Sequence, residues 1–135
     1  MADASRGPRP RPTSPSVWIW RWHVTMVASI AHRASGVALY GGALILMLFA
    51  VSLASGPDGY AAFKGLMGSI PGKVVLFGLT LSAFYHMANG VRHLTWDAGA
   101  GFEPKTADMT AWVAFAFGLV MSVGVWVLAA MTGAL

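Results

Sequence analysis

The sequence contains no cysteine and very little charge. Among its 135 residues are 9 Lys and Arg and 5 Asp and Glu, so that charged residues make up 10% of the chain and hydrophobic residues 56%. Without cysteine the chain has no disulfide, no thiolate nucleophile, no Fe–S ligand and no cysteine-based zinc site. Because an ordinary soluble domain is about 25% charged, lipid must surround much of this chain.

The basic balance of the chain does not indicate nucleic-acid binding. The formal net charge is +4, and a basic domain often contacts phosphates. Here the cations are too few to follow a nucleic-acid backbone, which needs clustered Lys and Arg. We therefore expect a membrane protein with no nucleic-acid partner.

Long stretches without formal charge predict three membrane-spanning helices in an all-α integral membrane protein. A hydrocarbon core ~30 Å thick needs about 20 helical residues to cross it. The uncharged stretches are residues 34–57, 74–91 and 109–135. The predicted segments, in chain order, are a Pro-, Arg- and Trp-rich tail (1–22), a first span (23–54), a connector that could form a short interfacial helix (55–72), a second span (73–96), a loop (97–108) and a third span (109–133).

The distribution of Lys and Arg predicts the orientation. Four arginines precede the first span and two cations lie around the 97–108 loop, whereas the opposite side carries two lysines. By the positive-inside rule the N-terminus is then cytoplasmic and the C-terminus periplasmic, with Trp18, Trp20 and Trp22 at the cytoplasmic headgroup level. The tail resembles neither a signal peptide nor a transit peptide. We expect the bacterial cytoplasmic (inner) membrane, with the mitochondrial inner membrane as the alternative.

A first polar cluster lies in the early turns of the first span. Ser29 and Arg33 are four residues apart and project together, with His32 and Ser35 beside them. An Arg within a span costs roughly 2.5 kcal/mol or more unless it is paired, hydrated or reaches the headgroups. Arg33 could simply reach the headgroups, but that leaves the histidine and the serines unexplained. A Ser hydroxyl beside an Arg could instead bind the carbonyl oxygens of a quinone.

A second polar cluster lies near the end of the second span. It contains His86, Gly90, Arg92 and His93, and Gly90 leaves room for a bulky planar group or a close helix. Neutral imidazole binds haem iron, and haem propionates need Arg, His or Ser partners. A buried His is more often a structural hydrogen bonder, so both interpretations stay open. His32 suits a propionate better than the iron, and a second axial ligand would come from another subunit.

These residues resemble the cytochrome b556 membrane-anchor subunits of succinate dehydrogenase, respiratory complex II. The first family pattern is Arg-Pro, a spaced apolar pair and then Ser-x-x-His-Arg-x-Ser/Thr, which the chain matches from Arg11 to Ser35. The second pattern is His-x-x-x-Gly-x-Arg-His followed by an aromatic residue and Asp, which the chain matches from His86 to Asp97. The resemblance covers about residues 9–133.

The resemblance implies a haem b site that composition alone does not reveal. His86 matches the axial ligand of the iron, whose opposite histidine comes from a companion small membrane-anchor subunit. The two anchors together would form a six-helix bundle. His32, Arg33 and His93 match positions near the haem propionates.

The resemblance also implies a ubiquinone site and further partners. Ser29 and Arg33 match quinone-binding positions, and Ile30 lies beside them. Arg92 and Asp97 match positions to which we assign a structural or docking role. Flavin and Fe–S clusters would reside on a flavoprotein and an iron–sulfur subunit, so that this chain holds no succinate site. Two alternatives stay open: a fumarate reductase anchor that uses menaquinone, and a non-catalytic scaffold whose Arg and His only reach the headgroups.

Overall fold

The computed structural model describes residues 21–133, in which α-helix is the only regular secondary structure. The helices are α1 (Val24–Ala54), α2 (Pro57–Gly68), α3 (Ile70–Asp97) and α4 (Pro104–Met131). Three of them, α1, α3 and α4, are long and apolar enough to cross a membrane. The predicted all-α plan with three spans is confirmed. Trp18, Trp20 and the tail up to residue 20 lie outside the described residues.

The helices alternate in direction, so the start of α1, the end of α3 and the start of α4 meet at one end of the bundle. We call this the histidine end. There the Nε2 atom of His23 lies 3.5 Å from Oδ2 of Asp108, which connects the residue preceding α1 to the first turns of α4. The predicted cytoplasmic end is this one.

Helices α3 and α4 begin earlier than the spans predicted for them, at Ile70 and Pro104 rather than at 73 and 109. Both have proline in the first turn, where the fixed φ suits a helix and the missing N–H needs no partner. The hydroxyl of Ser69 caps α3 by accepting the N–H of Gly72 at 3.2 Å. The connector before α3 contains the twelve-residue helix α2.

Helix α4 packs on α3 through a row of small residues. The buried residues of α4 are Ala111, Ala114, Gly118 and Ser122, spaced three and four apart on one face. A Cβ atom at Gly118 would lie only 2.9 Å from Cβ of Tyr85. Since lipid offers no hydrophobic drive for helix association, this close backbone approach provides the van der Waals contact that holds the two helices.

Helix α1 packs on α3 through a single polar and small-residue seam. The hydroxyl of Tyr85 donates to the carbonyl of Ala28 at 2.7 Å, and both residues are buried. Further along, a Cβ at Gly42 would meet the Leu79 side chain at 3.0 Å. These contacts fix the rotation of α3 relative to α1 and thereby decide which α3 residues face α1.

Candidate functional site

Three histidine rings stack between α1 and α3 at the histidine end. The His32 ring of α1 lies 3.9 Å from the His86 ring and 4.9 Å from the His93 ring, with interplanar angles of 16° and 19°. His86 and His93 are seven residues apart on α3, or roughly 10 Å along the helix. His32 therefore lies between them.

The His86 imidazole is fixed by α1 at one of its two nitrogens. Its Nδ1 lies 3.0 Å from Oγ of the buried Ser35 and 3.2 Å from the carbonyl oxygen of His32. Its Nε2 has no hydrogen-bond partner among the described residues. An imidazole held at Nδ1 with Nε2 free of protein partners is the arrangement in which histidine binds a metal.

His93 resembles His86 in being held at Nδ1 with no hydrogen-bond partner at Nε2 among the described residues, but its Nδ1 bonds its own helix rather than α1, and His32 differs from both. His93 donates from Nδ1 to the carbonyl of Asn89 at 2.7 Å. Nδ1 of His32 is buried and has no hydrogen-bond partner in the part of the chain that the structure describes. A buried nitrogen without a partner is unfavourable, so His32 suits a ligand group that can hydrogen-bond to it.

The residues predicted for the quinone lie on the outward side of the same region. Ile30 and Arg33 are exposed, and Ser29 is half-buried at the edge of the seam with α3. Within residues 21–133, neither the Ser29 hydroxyl nor the Arg33 guanidinium has a hydrogen-bond or ion-pair partner. Both polar groups are therefore available to a ligand or to another chain.

Arg92 faces α4 rather than the outward side. Its guanidinium donates to Oγ1 of Thr110 at 3.0 Å, to the carbonyl of Ala107 at 2.9 Å and to Oδ1 of Asn89 at 3.2 Å, and it lies 4.2 Å from the centre of the Trp96 ring. All three nitrogens are thus used within the chain. This buried Arg connects α3 to the start of α4, which supports the structural role assigned to it.

Several residues of the site have no role assigned to them in the sequence-based prediction. Ser35 and Gly36 contact the His86 ring from α1. Tyr85 connects α3 to α1 through Ala28, and Asn89 accepts hydrogen bonds from Arg92 and His93 within α3. The spacing of Ser35, three residues after His32 on the same helix, is the signal that could have identified it. The contact with His86 depends on the packing of α1 on α3, which no local pattern gives.

The fold and these polar positions together define a multi-pass α-helical membrane protein with a histidine cluster at one end of its spans. The chain belongs to the family of succinate dehydrogenase/fumarate reductase transmembrane subunits, whose family model matches residues 7–125. This confirms the resemblance found in the sequence.

Similar proteins from bacteria and mitochondria carry the same kind of name. The succinate dehydrogenase cytochrome b556 subunit of Rickettsia felis is 33% identical over 104 residues, which cover 77% of this chain and 81% of the relative. That of Paracoccus denitrificans is 32% identical over 123 residues, or 91% and 93% of the two chains. The mitochondrial cytochrome b560 subunit of Mus musculus is 38% identical over 78 residues, or 56% and 46%. With its three apolar helices, the chain is a multi-pass protein of the bacterial inner membrane.

Proposed function

We propose that this chain is the membrane-anchor subunit of a succinate:ubiquinone oxidoreductase and that it holds one side of a haem b and part of the ubiquinone site. The observation that carries the proposal is the His86 ring, held at Nδ1 by α1 with Nε2 free of protein partners. The unpaired polar groups of Ser29 and Arg33 lie near the same end of α1. The names of the relatives contain both succinate dehydrogenase and cytochrome b.

The residues around His86 fit a haem. Nε2 of His86 would bind the iron, and the unpartnered Nδ1 of His32 would hydrogen-bond a propionate, with Arg33 and His93 nearby. The second axial ligand would come from a companion anchor, as the resemblance to the cytochrome b556 subunits implies. Haem b bound there would supply a one-electron redox centre.

Ser29 and Arg33 fit a quinone head group at the edge of the hydrocarbon. The Ser29 hydroxyl can donate to one carbonyl oxygen, and the Arg33 guanidinium stabilises negative charge that develops on the ring oxygens during reduction. Ile30 is exposed and apolar beside them and would contact the ring. Ubiquinone would take two electrons from the iron–sulfur subunit and two protons from the cytoplasmic side, giving ubiquinol.

An exposed stripe along α1 supports a companion membrane-anchor subunit. The stripe, whose residues alternate in spacing between three and four, consists of Ile30, Arg33, Val37, Tyr40, Leu44, Met47 and Val51. This is the spacing of a helix–helix contact. Tyr40 lies near the middle of α1 and is 81% exposed, where a hydroxyl facing hydrocarbon would be costly. A neighbouring helix with a polar group at that depth would satisfy it.

Succinate oxidation and the electron transfer that follows it would take place on other, soluble subunits. A flavoprotein would oxidise succinate, and an iron–sulfur subunit would carry the electrons to the histidine end of the bundle. That end is the cytoplasmic one in the orientation predicted from Lys and Arg. This chain would then hold no succinate site and would perform the last electron-transfer step to quinone.

The proposal is tested on the purified complex by spectroscopy and by two activity assays. The reduced-minus-oxidised spectrum should contain a b-type α band that His86→Ala eliminates and that His23→Ala, a histidine outside the stack, retains. Arg33→Leu should lower succinate-driven ubiquinone reduction while succinate oxidation with an artificial acceptor survives. A complex without the band, or a band that His86→Ala leaves unchanged, would refute the haem assignment and favour a non-catalytic scaffold.

A further inference from the structure

The side of the His86 ring that faces α1 is held by groups from two consecutive turns of that helix. Oγ of Ser35 lies 3.0 Å from Nδ1 of His86, and the carbonyl oxygen of His32 lies 3.2 Å from the same atom. Ser35 and the His32 carbonyl also contact each other at 2.8 Å. Nδ1 of His86, Oγ of Ser35 and the His32 carbonyl oxygen thus form a triangle of polar contacts. The positions of the protons in this triangle are restricted, because each contact needs one donor and one acceptor.

The triangle selects one tautomer of His86. The His32 carbonyl can only accept hydrogen bonds, and it accepts the Ser35 hydroxyl proton at 2.8 Å. If Nδ1 carried no proton, its lone pair would face the carbonyl lone pairs at 3.2 Å, and this contact would be repulsive. With a proton on Nδ1, the ring donates to the Ser35 oxygen and to the carbonyl together. Neutral His86 then has its remaining lone pair on Nε2.

The space beside the ring is limited as well. A Cβ atom at Gly36 would lie 3.1 Å from Cε1 and 3.7 Å from Nδ1 of His86, so an alanine there would displace the ring from α1 by a few tenths of an ångström. The ring also stacks on the His32 ring, with the two ring centres 3.9 Å apart. Ser35 therefore determines the hydrogen bond, while Gly36 and His32 determine the plane of the ring.

We propose that Ser35 is a positioning residue that holds His86 with its proton on Nδ1 and its Nε2 directed as a ligand, in a slot that Gly36 keeps open. The inference rests on the proposed haem site and adds to it the contacts that orient the axial imidazole. A ligand imidazole whose other nitrogen donates to a polar partner is fixed in tautomer and is more basic. Ser35 thus acts on the iron through His86 and touches no substrate.

The experiment uses the intact membrane complex with two matched pairs of variants. Ser35→Ala is compared with Ser52→Ala, because the Ser52 hydroxyl makes the same kind of bond to the backbone three residues earlier in α1, at 2.7 Å, and forms no contact with a histidine. Gly36→Ala is compared with Gly41→Ala, where an added Cβ meets nothing within 4 Å. Ser35→Thr keeps the hydroxyl and serves as the conservative variant.

Two readouts are independent of activity. The rate of haem transfer to an excess of apomyoglobin reports how firmly the axial ligand holds, and it should rise on the order of 10-fold or more in Ser35→Ala, as is typical when the outer partner of a metal-bound His is removed. The low-spin ferric signal in electron paramagnetic resonance reports the orientation of the axial imidazole plane. It should shift in Ser35→Ala and Gly36→Ala, remain unchanged in Ser52→Ala and Gly41→Ala, and return towards the original position in Ser35→Thr.

Failure of this inference is distinguishable from failure of the proposed function. If the unmodified complex has a b-type band that depends on His86, yet Ser35→Ala and Gly36→Ala behave as their controls do, the positioning role is wrong and the haem site stands. If the unmodified complex has no such band, both are wrong. Where Ser35→Ala does not assemble, judged by succinate oxidation with an artificial acceptor in membranes, Gly36→Ala decides in the same way.

Discussion

Helices α3 and α4 approach each other closely at Gly118, and replacing this residue by alanine should separate them. A Cβ at this position would lie 2.9 Å from Cβ, 3.1 Å from Cα and 3.2 Å from N of Tyr85. Carbon atoms in good contact are about 3.5–4.0 Å apart, so the shortest of these distances is too small by roughly 0.6 Å or more. Backbone atoms and a Cβ cannot rotate away as the end of a side chain can.

The magnitude follows from the cost of overpacking. Adding a methyl group to a closely packed contact costs about 1–3 kcal/mol, and the upper part of that range applies because the clash involves the backbone of α3. Tyr85 also donates to Ala28 at 2.7 Å, so displacing it strains the α1–α3 seam as well. We expect the clash to destabilise the assembled complex by about 2–3 kcal/mol relative to a glycine-to-alanine change at an open position of the same helix.

Gly124→Ala is the matched control. Gly124 lies on the same helix, and a Cβ there meets nothing within 4 Å. Replacing glycine by alanine favours helix by about 1 kcal/mol in both variants, so the difference between them isolates the clash with Tyr85. The solubilised complex is heated in steps, and size-exclusion chromatography measures the fraction that stays intact.

The refuting result is specific to the close approach of α4 to α3. If the two variants lose the intact complex at the same temperature, the helices are farther apart at Gly118 than the 2.9 Å between an added Cβ and Cβ of Tyr85 indicates. A Gly118→Ser variant, which adds a hydroxyl to the same Cβ, should be at least as destabilising as Gly118→Ala. If it were more stable than Gly118→Ala, the clash would not lie at Cβ.

Three further predictions concern the seam of α3 with α4, the α1 stripe and the quinone residues. Arg92→Lys should destabilise the complex by about 2 kcal/mol, because an ammonium cannot maintain the hydrogen bonds of a buried guanidinium; equal heat stability would contradict the structural role. Tyr40→Phe should weaken retention of the companion anchor in detergent by about 0.6–1.7 kcal/mol, whereas Tyr60→Phe, outside the α1 stripe, should not. Ser29→Ala should raise the KM for ubiquinone without changing succinate oxidation by an artificial acceptor, and an equal loss of both activities would indicate failed assembly instead.

The number and position of the spans could be predicted because charge is so scarce in this chain. Each uncharged stretch is long enough to cross a bilayer, and Gly56 and Pro57 interrupt the pattern where α1 ends. The start of α4 could not be placed in this way, because Lys105 and Asp108 suggest a loop. They lie instead in the first turns of α4.

The residues of the candidate site could be predicted, but their contacts could not. A motif places His86 and His93 on one face of α3, yet only the packing of α1 on α3 inserts His32 between them. The contacts of Arg92 could not be predicted from the sequence either. It is adjacent to His93 in the sequence, and consecutive helical residues point about 100° apart, so the side that meets α4 depends on the tertiary fold.

Helix α3 has two different sides. One side faces α1 and carries the histidines proposed to bind haem, and the other faces α4 and carries Arg92, which has a structural role. On one side His86 and His93 meet α1, which also carries the unpaired groups of Ser29 and, within the α1 stripe, Arg33. On the other side the buried Arg92 donates to Thr110 and Ala107 of α4 and to Asn89 of its own helix. Since Ser29 and Arg33, the unpaired groups proposed for the quinone site, lie on α1, we expect the second chain that completes the site to approach α1. We therefore expect a cross-linker placed on the α1 stripe to react with the companion anchor. A cross-linker on the outer face of α4 should not react with it.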